Sequence, residues 1–392
     1  MQELMFLGLF VVALAIGWYL GRREAIKVGF MLKPHGSALD RQYFIGLNYL
    51  LNEQPDEAIE TFIRALEVNP ETVETHIAIG KLFCQRGDVE RAIKVHQNLL
   101  ARPNLSREQA DHVQLELARD YLAVGMDHRA ERLLEELVEV RSPLREEALV
   151  DLVKVYEREH DWRRAIQVGD KLLRERAAFS VTLAHYYCES AQLPLKNNEL
   201  PQARSLLKQA LEIDPQCIRA LLLLAELEMD QGQARDGARW LQRLADTDSD
   251  FVPQALPLIR RCADNAALNV PLFLDQVIAA SAYPPMPVIL AKADEMRASA
   301  SLSEISQFVL GHIQQRPSLR GLLYLIDLHS DHVDARGRDN LLILRSIVEA
   351  LITGKPAFRC SACGFSAKRL HWQCPTCHGW STIRPLKGSE TA

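Results

Sequence analysis

The stretch YFIGLNYLLNEQPDEAIETFIRALEVNP, residues 43–70, decides the fold of this chain. It combines small residues, Gly46 and Ala58, with the large apolar residue Tyr49 at spacings that suit two short helices joined by a turn. Small residues allow the two helices of a hairpin to approach, and large residues fill the gap between neighbouring hairpins. The same pattern returns 34 residues later, so the chain is predicted to repeat a helix–turn–helix unit.

This 34-residue period is that of the tetratricopeptide repeat, and about six units occupy residues 39–250. The fifth unit carries about seven extra residues around 192–199, which we expect in the turn between its two helices. In the sixth unit Glu228 stands at the aromatic position and Gly237 at the small one. Because one helix pair cannot bury its apolar face alone, the units are predicted to stack into a superhelix.

Degenerate helical repeats are predicted after these units, over residues 251–353. The repeat pattern decays there, and prolines, among them those of the run YPPMP at 283–287, punctuate shorter apolar segments. We expect two or three helical pairs in this region, among them 287–315 and 318–350.

Composition excludes several classes of protein. The 392 residues are 48% hydrophobic and 25% charged, which is typical of a globular chain and excludes a largely disordered or fibrous one. The net charge is −5, but residues 355–388 contain six basic residues and no acidic residue. That segment carries a charge of +6 and the remainder −11. The chain as a whole therefore lacks the net positive charge that is typical of nucleic-acid-binding proteins.

The N-terminus predicts a transmembrane helix, with residues 1–21 as the anchor. Residues 4–20, LMFLGLFVVALAIGWYL, carry no charge and would form a helix about 26 Å long, near the lower limit for crossing a bilayer. Arg22 and Arg23 follow, which places the bulk of the chain in the cytoplasm, beyond a juxtamembrane linker over 22–38. The alternatives are a buried core helix and a cleaved signal peptide, which would carry its positive charge before the apolar run.

A stripe of basic residues is predicted on the concave wall of the superhelix. The residue after the small position of each first helix should face the groove, and four consecutive units place a basic residue there: Lys81, Arg119, Lys154 and His185. Such a stripe could bind an acidic peptide or a carboxylate tail. The alternative is an ordinary solvated charged face.

The repeat region contains none of the common catalytic motifs. The sequence lacks H-E-x-x-H, G-x-x-x-x-G-K-[ST] and G-x-S-x-G. Because helical superhelices of this type offer binding surfaces, we expect a protein that is not an enzyme.

The segment FRCSACGFSAKRLHWQCPTCHGW near the C-terminus predicts a metal site formed by Cys360, Cys363, Cys374 and Cys377. Each Cys-x-x-Cys turn presents two thiolates from one side, and two such turns facing one another complete a tetrahedron. Residues 354–386 are too few to build a sufficient hydrophobic core, so the metal is expected to hold this domain together. A tail, 387–392, follows.

The expected metal is one structural ion, with Zn favoured and Fe the alternative. Four thiolates suit either metal, but all four positions are filled by protein and none is left open for a substrate. His371 and His378 are alternative ligands that four cysteines make unnecessary. Trp372 and Trp380 suggest that the domain packs against the helical array. Its basic surface could face anionic lipid or an acidic partner, and a nucleic-acid role is the disfavoured alternative.

The combination of anchor, repeats and four-Cys ending resembles the lipopolysaccharide assembly protein B family of Gram-negative bacteria. Gly-Arg-Arg after the anchor, the repeats opening near Tyr43 and the ending Cys-x-x-Cys-Gly-Phe…Trp-x-Cys-Pro-x-Cys-x-x-Trp carry this resemblance along essentially the whole chain. The ending is similar to the rubredoxin-type domain of that family. It departs from rubredoxin in its ten-residue gap and in His378, which replaces the Gly expected after the second Cys pair. The predicted fold is therefore an all-α tetratricopeptide-repeat superhelix with an N-terminal transmembrane helix and a small rubredoxin-like or zinc-ribbon domain.

The resemblance implies an inner-membrane regulator of lipopolysaccharide synthesis with a periplasmic N-terminus. Members of the family are adaptors that present the deacetylase of the lipid A pathway to a membrane AAA+ protease, under restraint by an inner-membrane lipopolysaccharide sensor protein. The implied partners are these three proteins and the membrane, with no nucleic acid, and a homodimer is possible. Two other hypotheses remain: a non-proteolytic scaffold for lipopolysaccharide synthesis and export enzymes, and a redox or catalytic four-Cys site.

Overall fold

The computed structural model of the chain describes residues 38–52, 54, 57–58, 61, 73–103, 105–265, 267–330 and 332–386. The predicted anchor, nearly all of the linker and the C-terminal tail lie outside these ranges. Within them, no helix is both long and apolar enough to cross a membrane. The chain divides into two compact units, Met1–Asp151 and Leu152–Ala392, and its domain boundaries along the sequence stay a prediction.

The described part of the first unit consists of helices joined by turns. These helices are α1 (Ala38–Leu51), α2 (Val73–Gln85), α3 (Val89–Leu100), α4 (Arg107–Ala123), α5 (Asp127–Glu139) and α6 (Arg145–Arg158). The boundary between the units falls inside α6. Gly80 illustrates why the repeat needs small residues, since a Cβ there would lie only 2.2 Å from Nε2 of His96. The buried His96 ring thus packs directly on α2, and its Nδ1 lies 2.6 Å from Oδ2 of Asp120 in α4.

The second unit continues with helices and ends in a small β-sheet. Its further helices are α7 (Trp162–Glu175), α8 (Ser180–Lys196), α9 (Leu200–Ile213), α10 (Ile218–Asp230), α11 (Ala234–Thr247), α12 (Val252–Asp264), α13 (Val270–Ala280), α14 (Met286–Met296), α15 (Leu302–Gln315), α16 (Leu319–Ser330) and α17 (Ala335–Ile352). Short 3-10 helices at Ala177–Phe179 and Ser249–Phe251 precede α8 and α12.

The C-terminal domain, here called the ribbon and comprising residues 354–386, is a three-stranded antiparallel sheet. Its strands are β1 (Phe358–Cys360), β2 (Ser366–Ala367) and β3 (Ile383–Pro385). Strand β1 lies in the centre, and Phe358 is opposite both Ala367 and Pro385.

The small residues of the repeat pattern are buried in both units. Ala92, Ala118 and Ala130 are fully buried in the first unit, and Ala165 and Ala203 in the second. Helices can approach closely only where such side chains lie between them. The predicted tetratricopeptide array with its four-Cys domain is therefore confirmed for the described residues.

The sixth repeat replaces its aromatic residue with an ion pair. Glu228 is buried, and the Arg204 guanidinium donates to both of its carboxylate oxygens at 2.8 and 2.7 Å. Gly237 takes the small position because space is short there: a Cβ would lie 3.0 Å from Cγ of Met229 and 3.3 Å from the carbonyl oxygen of Ala225. Both departures from the repeat pattern thus have a packing reason.

The extra residues of the fifth repeat were predicted in a turn, and that prediction is wrong. They instead lengthen the first helix of the pair, α8, which runs to Lys196 and contains Pro194. The turn to α9 needs only three residues, with Asn198 in the left-handed region at φ 60°.

The region after residue 250 forms the helical pairs that the sequence predicts. Helices α14 and α15 cover 287–315, and α16 and α17 cover 318–350. Pro253, Pro271 and Pro287 each stand in the first turn of a helix, where a missing N–H costs nothing.

Replacing Glu228 should destabilise the second unit. In Glu228→Ala the partly buried Arg204 loses a carboxylate that holds it, at a cost of about 2 kcal/mol in the free energy of unfolding. Glu228→Tyr combined with Arg204→Leu restores the usual aromatic and should stay within about 1 kcal/mol of the original chain. Urea unfolding measures both. Asp230→Ala is the control, because it breaks an exposed pair with Arg261. An equal loss in Glu228→Ala and in this control would contradict the interpretation.

Candidate metal centre

The ribbon brings its four cysteines to one point. Cys360 ends β1 and Cys363 lies in the turn that follows, while Cys374 and Cys377 form a second turn before β3. The four sulfur atoms all lie within 4.8 Å of one another. The Cys360 and Cys377 sulfurs are 3.7 Å apart, and those of Cys363 and Cys374 are 3.6 Å apart.

These distances fit a metal ion at the centre. A metal–sulfur distance of about 2.3 Å in a tetrahedron requires sulfur–sulfur edges of about 3.8 Å. These two edges come close to this value, so the four thiolates are arranged to bind one ion. The ribbon therefore contains a four-Cys metal site.

The two Cys turns share one backbone geometry. In the first, the N–H of Gly364 donates to the carbonyl oxygen of Cys360 at 3.0 Å, and in the second the N–H of His378 donates to that of Cys374 at 2.9 Å. Both residues are left-handed, with φ 79° for Gly364 and φ 55° for His378. The second turn thus has a histidine in the backbone conformation that favours glycine. The left-handed conformation of this residue costs about 1 kcal/mol of conformational free energy.

Hydrogen bonds to sulfur favour the thiolate form, which a metal requires, at two of the four cysteines. The pKa of the Cys360 thiol is lowered to about 6, first by the Thr382 hydroxyl, which lies 3.3 Å from its sulfur, and then by the N–H groups of Cys363 and Ala362. Burial acts against the thiolate of Cys374, yet its pKa is also lowered because backbone N–H groups of its own turn point at the sulfur.

His185 of α8 lies beneath the ribbon. Its side chain is 1% exposed, and its ring centroid is 5.0 Å from that of Trp380 and 6.0 Å from that of Trp372. Its Nε2 is 2.7 Å from the Ser381 hydroxyl oxygen. Burial, followed by repulsion from Arg219, lowers the pKa of His185 to about 3, so the ring is neutral at physiological pH.

A second contact between the array and the ribbon is made by Glu157, in the part of α6 that belongs to the second unit. Its carboxylate accepts hydrogen bonds from the Tyr186 hydroxyl and from the Gln373 side-chain amide, and Trp380 Nε1 lies 3.4 Å away. The packing of the ribbon's tryptophans on the helical array, which the sequence suggested, is thereby confirmed. Sequence reasoning missed Glu157 because nothing local distinguishes this residue from any other acidic residue on a helix.

A third contact joins the ribbon to the start of α12. The Trp372 ring stacks on Phe251 with centroids 6.2 Å apart, and the Arg384 guanidinium donates to Asp248 at 2.5 Å. The same guanidinium lies over the Phe251 ring. Apolar and charged contacts together therefore fix the ribbon on this part of the array.

Two of the other predicted groove residues, Lys81 and Arg119, have acidic neighbours. In the first unit Lys81 lies 3.1 Å from Glu116, and Arg119 donates to three carboxylates, those of Glu116, Glu147 and Asp151, at 2.7–2.8 Å. These hydrogen bonds raise the pKa of Arg119 against the effect of burial. In the second unit Lys154 is exposed on α6. Whether these residues bind a partner stays a prediction.

The array and the ribbon together define a class: tetratricopeptide-repeat proteins that end in a four-Cys metal-binding domain. Family models for the tetratricopeptide repeat match residues 45–104 and 195–262, and one described as "Rubredoxin metal binding domain" matches residues 358–385. The chain is 32% identical to Lipopolysaccharide assembly protein B of Escherichia coli K12 and 33% identical to that of Haemophilus influenzae Rd, over 100% of each pair of chains. It belongs to the lipopolysaccharide assembly protein B family. A crystal structure of MamA is similar at 19% identity, covering 44% of this chain and 95% of that one, with a TM-score of 0.35.

Removing two ligands should release the metal. The double variant Cys360→Ser with Cys363→Ser leaves two thiolates, too few to bind the ion. Elemental analysis of the purified chain should find one metal ion per chain in the original protein and none in the variant. Tryptophan fluorescence should shift to the red as Trp372 becomes hydrated. The control Cys84→Ser lies outside the ribbon and should retain the metal. A full complement of metal in the double variant would refute the assignment.

The lowered pKa of His185 predicts that the folded protein loses stability in mild acid. Its folded pKa of about 3 lies below its ordinary value of about 6.5, so the unfolded chain binds a proton that the folded chain does not. As pH falls from about 6.5 toward 3, this group alone should remove about 1.4 kcal/mol of stability per pH unit. The variant His185→Gln keeps a hydrogen-bonding group for Ser381 but does not titrate. Unfolding midpoints measured from pH 7 to 5 should fall more steeply in the original chain, and equal slopes would contradict this prediction.

Proposed function

We propose that this chain is a non-enzymatic adaptor of lipopolysaccharide assembly. In this proposal it brings the lipid A pathway deacetylase to a membrane AAA+ protease, and an inner-membrane lipopolysaccharide sensor protein restrains it. The observation that supports the proposal is similarity along the full length of curated proteins named for lipopolysaccharide assembly. The tetratricopeptide array agrees with it, because such arrays present extended surfaces to other proteins.

The proposed anchor explains how an adaptor would act on a membrane protease. Residues 4–20 would hold the array at the inner membrane with its N-terminus in the periplasm, while the repeats and the ribbon lie in the cytoplasm. Confinement to the protease's own membrane raises the effective concentration of a bound client. A modest affinity for the deacetylase then suffices for its delivery.

The predicted basic stripe is the proposed surface for a protein partner. Lys81 and Arg119 already interact with carboxylates of the array, so an acidic partner segment would compete with Glu116 or Glu147 for these cations. Such an exchange of partners favours weak and reversible binding. Lys154, which is exposed, and the surface beside His185 extend the proposed stripe. A second copy of the chain is a further proposed partner.

The proposed metal is a single structural Zn ion bound by Cys360, Cys363, Cys374 and Cys377. It would supply a crosslink between the two Cys turns and no open coordination position for a substrate. Trp372 and Trp380 of the ribbon attach the crosslinked module to the array. Elemental analysis separates Zn from Fe, and an Fe–thiolate absorbance band would exclude the Zn proposal.

The half-life of the deacetylase tests the adaptor proposal. It should lengthen several-fold in cells depleted of this chain, and recover when the full chain is restored. A chain without residues 1–20 should restore it only in part, because tethering is lost while the array is retained. Half-lives are measured by immunoblot after protein synthesis is stopped. An unaltered half-life on depletion would overturn the adaptor proposal in favour of a non-proteolytic scaffold, which altered co-purification of lipopolysaccharide enzymes would then identify.

A further inference from the structure

A cavity of about 450 Å3 lies between the ribbon and the helices that follow the clear repeats. Residues of α12, of the segment 283–287, of α15 and of the start of α16 form one side, and β1 and the chain after β3 form the other. Its volume is within the range of ligand sites in proteins. It is separate from the four sulfur atoms and from the predicted basic stripe.

Part of the cavity wall is apolar. Tyr283, Pro285 and Met286 lie on the helical side, and Phe358 and Leu386 on the ribbon side. The N–H of Leu386 donates to the carbonyl oxygen of Ala357 at 2.9 Å, which holds this part of the wall in place. Such a wall suits an apolar or aromatic side chain of a ligand.

Three cations line the same cavity. They are Arg316, Arg320 and Lys368, and none of them lies within salt-bridge distance of a carboxylate in the described part of the chain. The Arg316 guanidinium lies 5.9 Å from the Tyr283 ring centroid, so it is held beside the apolar wall. Asp250 is the one carboxylate among the lining residues, which leaves the cavity with an excess of positive charge.

The remaining polar groups favour a peptide over an acyl chain. Gln254 and Gln315 contribute side-chain amides to the lining, and each amide can both donate and accept a hydrogen bond. A peptide backbone would pair with these groups, whereas an acyl chain would desolvate them without compensation. His312 adds no charge, because burial lowers the pKa of its ring and keeps it neutral.

We propose that this cavity binds an extended acidic peptide segment of a partner protein. An apolar side chain of the segment fills the space beside Tyr283 and Met286, and carboxylates on either side of it pair with Arg316, Arg320 and Lys368. The proposal goes beyond the adaptor function: it requires neither the protease nor the basic stripe, and it holds whichever protein supplies the segment.

Fluorescence anisotropy with a synthetic peptide tests this proposal on the purified full-length chain. The probe is fluorescein-labelled acetyl-Asp-Glu-Phe-Glu-Asp-amide, and its matched control has Asn and Gln in place of the acids. The acidic probe should bind, and the amide control should bind at least about tenfold more weakly. Lys368→Glu should weaken binding of the acidic probe about tenfold. Tyr283→Ala, which removes an exposed ring, should weaken binding of both the acidic probe and the amide control.

Arg369→Glu is the matched variant, because it makes the same charge change on the next residue of the ribbon, which does not line the cavity. It should leave binding within about twofold of the original chain. Equal losses of affinity for the acidic probe in Lys368→Glu and Arg369→Glu would overturn the proposal. They would indicate a diffuse electrostatic attraction between the probe and the basic surface of the ribbon. Equal binding of the acidic and amide peptides would also overturn it. Binding of phosphatidylglycerol vesicles that depends on Lys368, without peptide binding, would replace the peptide with a lipid headgroup.

Discussion

Stacking between neighbouring helix pairs is the constraint on which the rest of this structure depends. A single pair leaves one apolar face uncovered, so each pair is stable only with the next one in place. In the second unit one continuous apolar core extends from Ala184 to Val288, and Leu370 and Trp372 of the ribbon pack against it. The ribbon thus covers apolar surface of the array, and the array in turn adds to the small hydrophobic cluster that the ribbon forms around Phe358 and Ile383.

The sequence allowed prediction of whatever depends on local spacing. Two Cys-x-x-Cys turns determine their own geometry, and small residues such as Ala118 and Ala203 mark helix contacts because they recur with the repeat. The left-handed conformation of His378 was not evident from the sequence, since histidine rarely adopts it. The turn requires this conformation whether glycine or histidine stands at the position.

Contacts between distant residues could not be read from the sequence. His185 follows the small residue of its repeat, as groove residues do, yet it lies under Ser381, a residue 196 positions further along the chain. No periodicity encodes such a contact. Glu228 shows the same limit at shorter range, because its partner Arg204 belongs to the preceding repeat, and only the packed structure reveals that an ion pair has replaced a ring. The extra residues of the fifth repeat were misplaced because the repeat spacing shows how many residues are added but not whether they extend a helix or a turn, and here they extend α8.

The contact between Glu157 and Trp380 has a consequence for biosynthesis. The two residues are 223 positions apart, and a ribosome that adds about 5–20 residues per second needs about 10–45 s to make the intervening chain. The array therefore leaves the ribosome well before the domain that covers it. During this interval the surface around Glu157 and Tyr186 is open to chaperones and to other nascent chains, until the ribbon is synthesised and covers it.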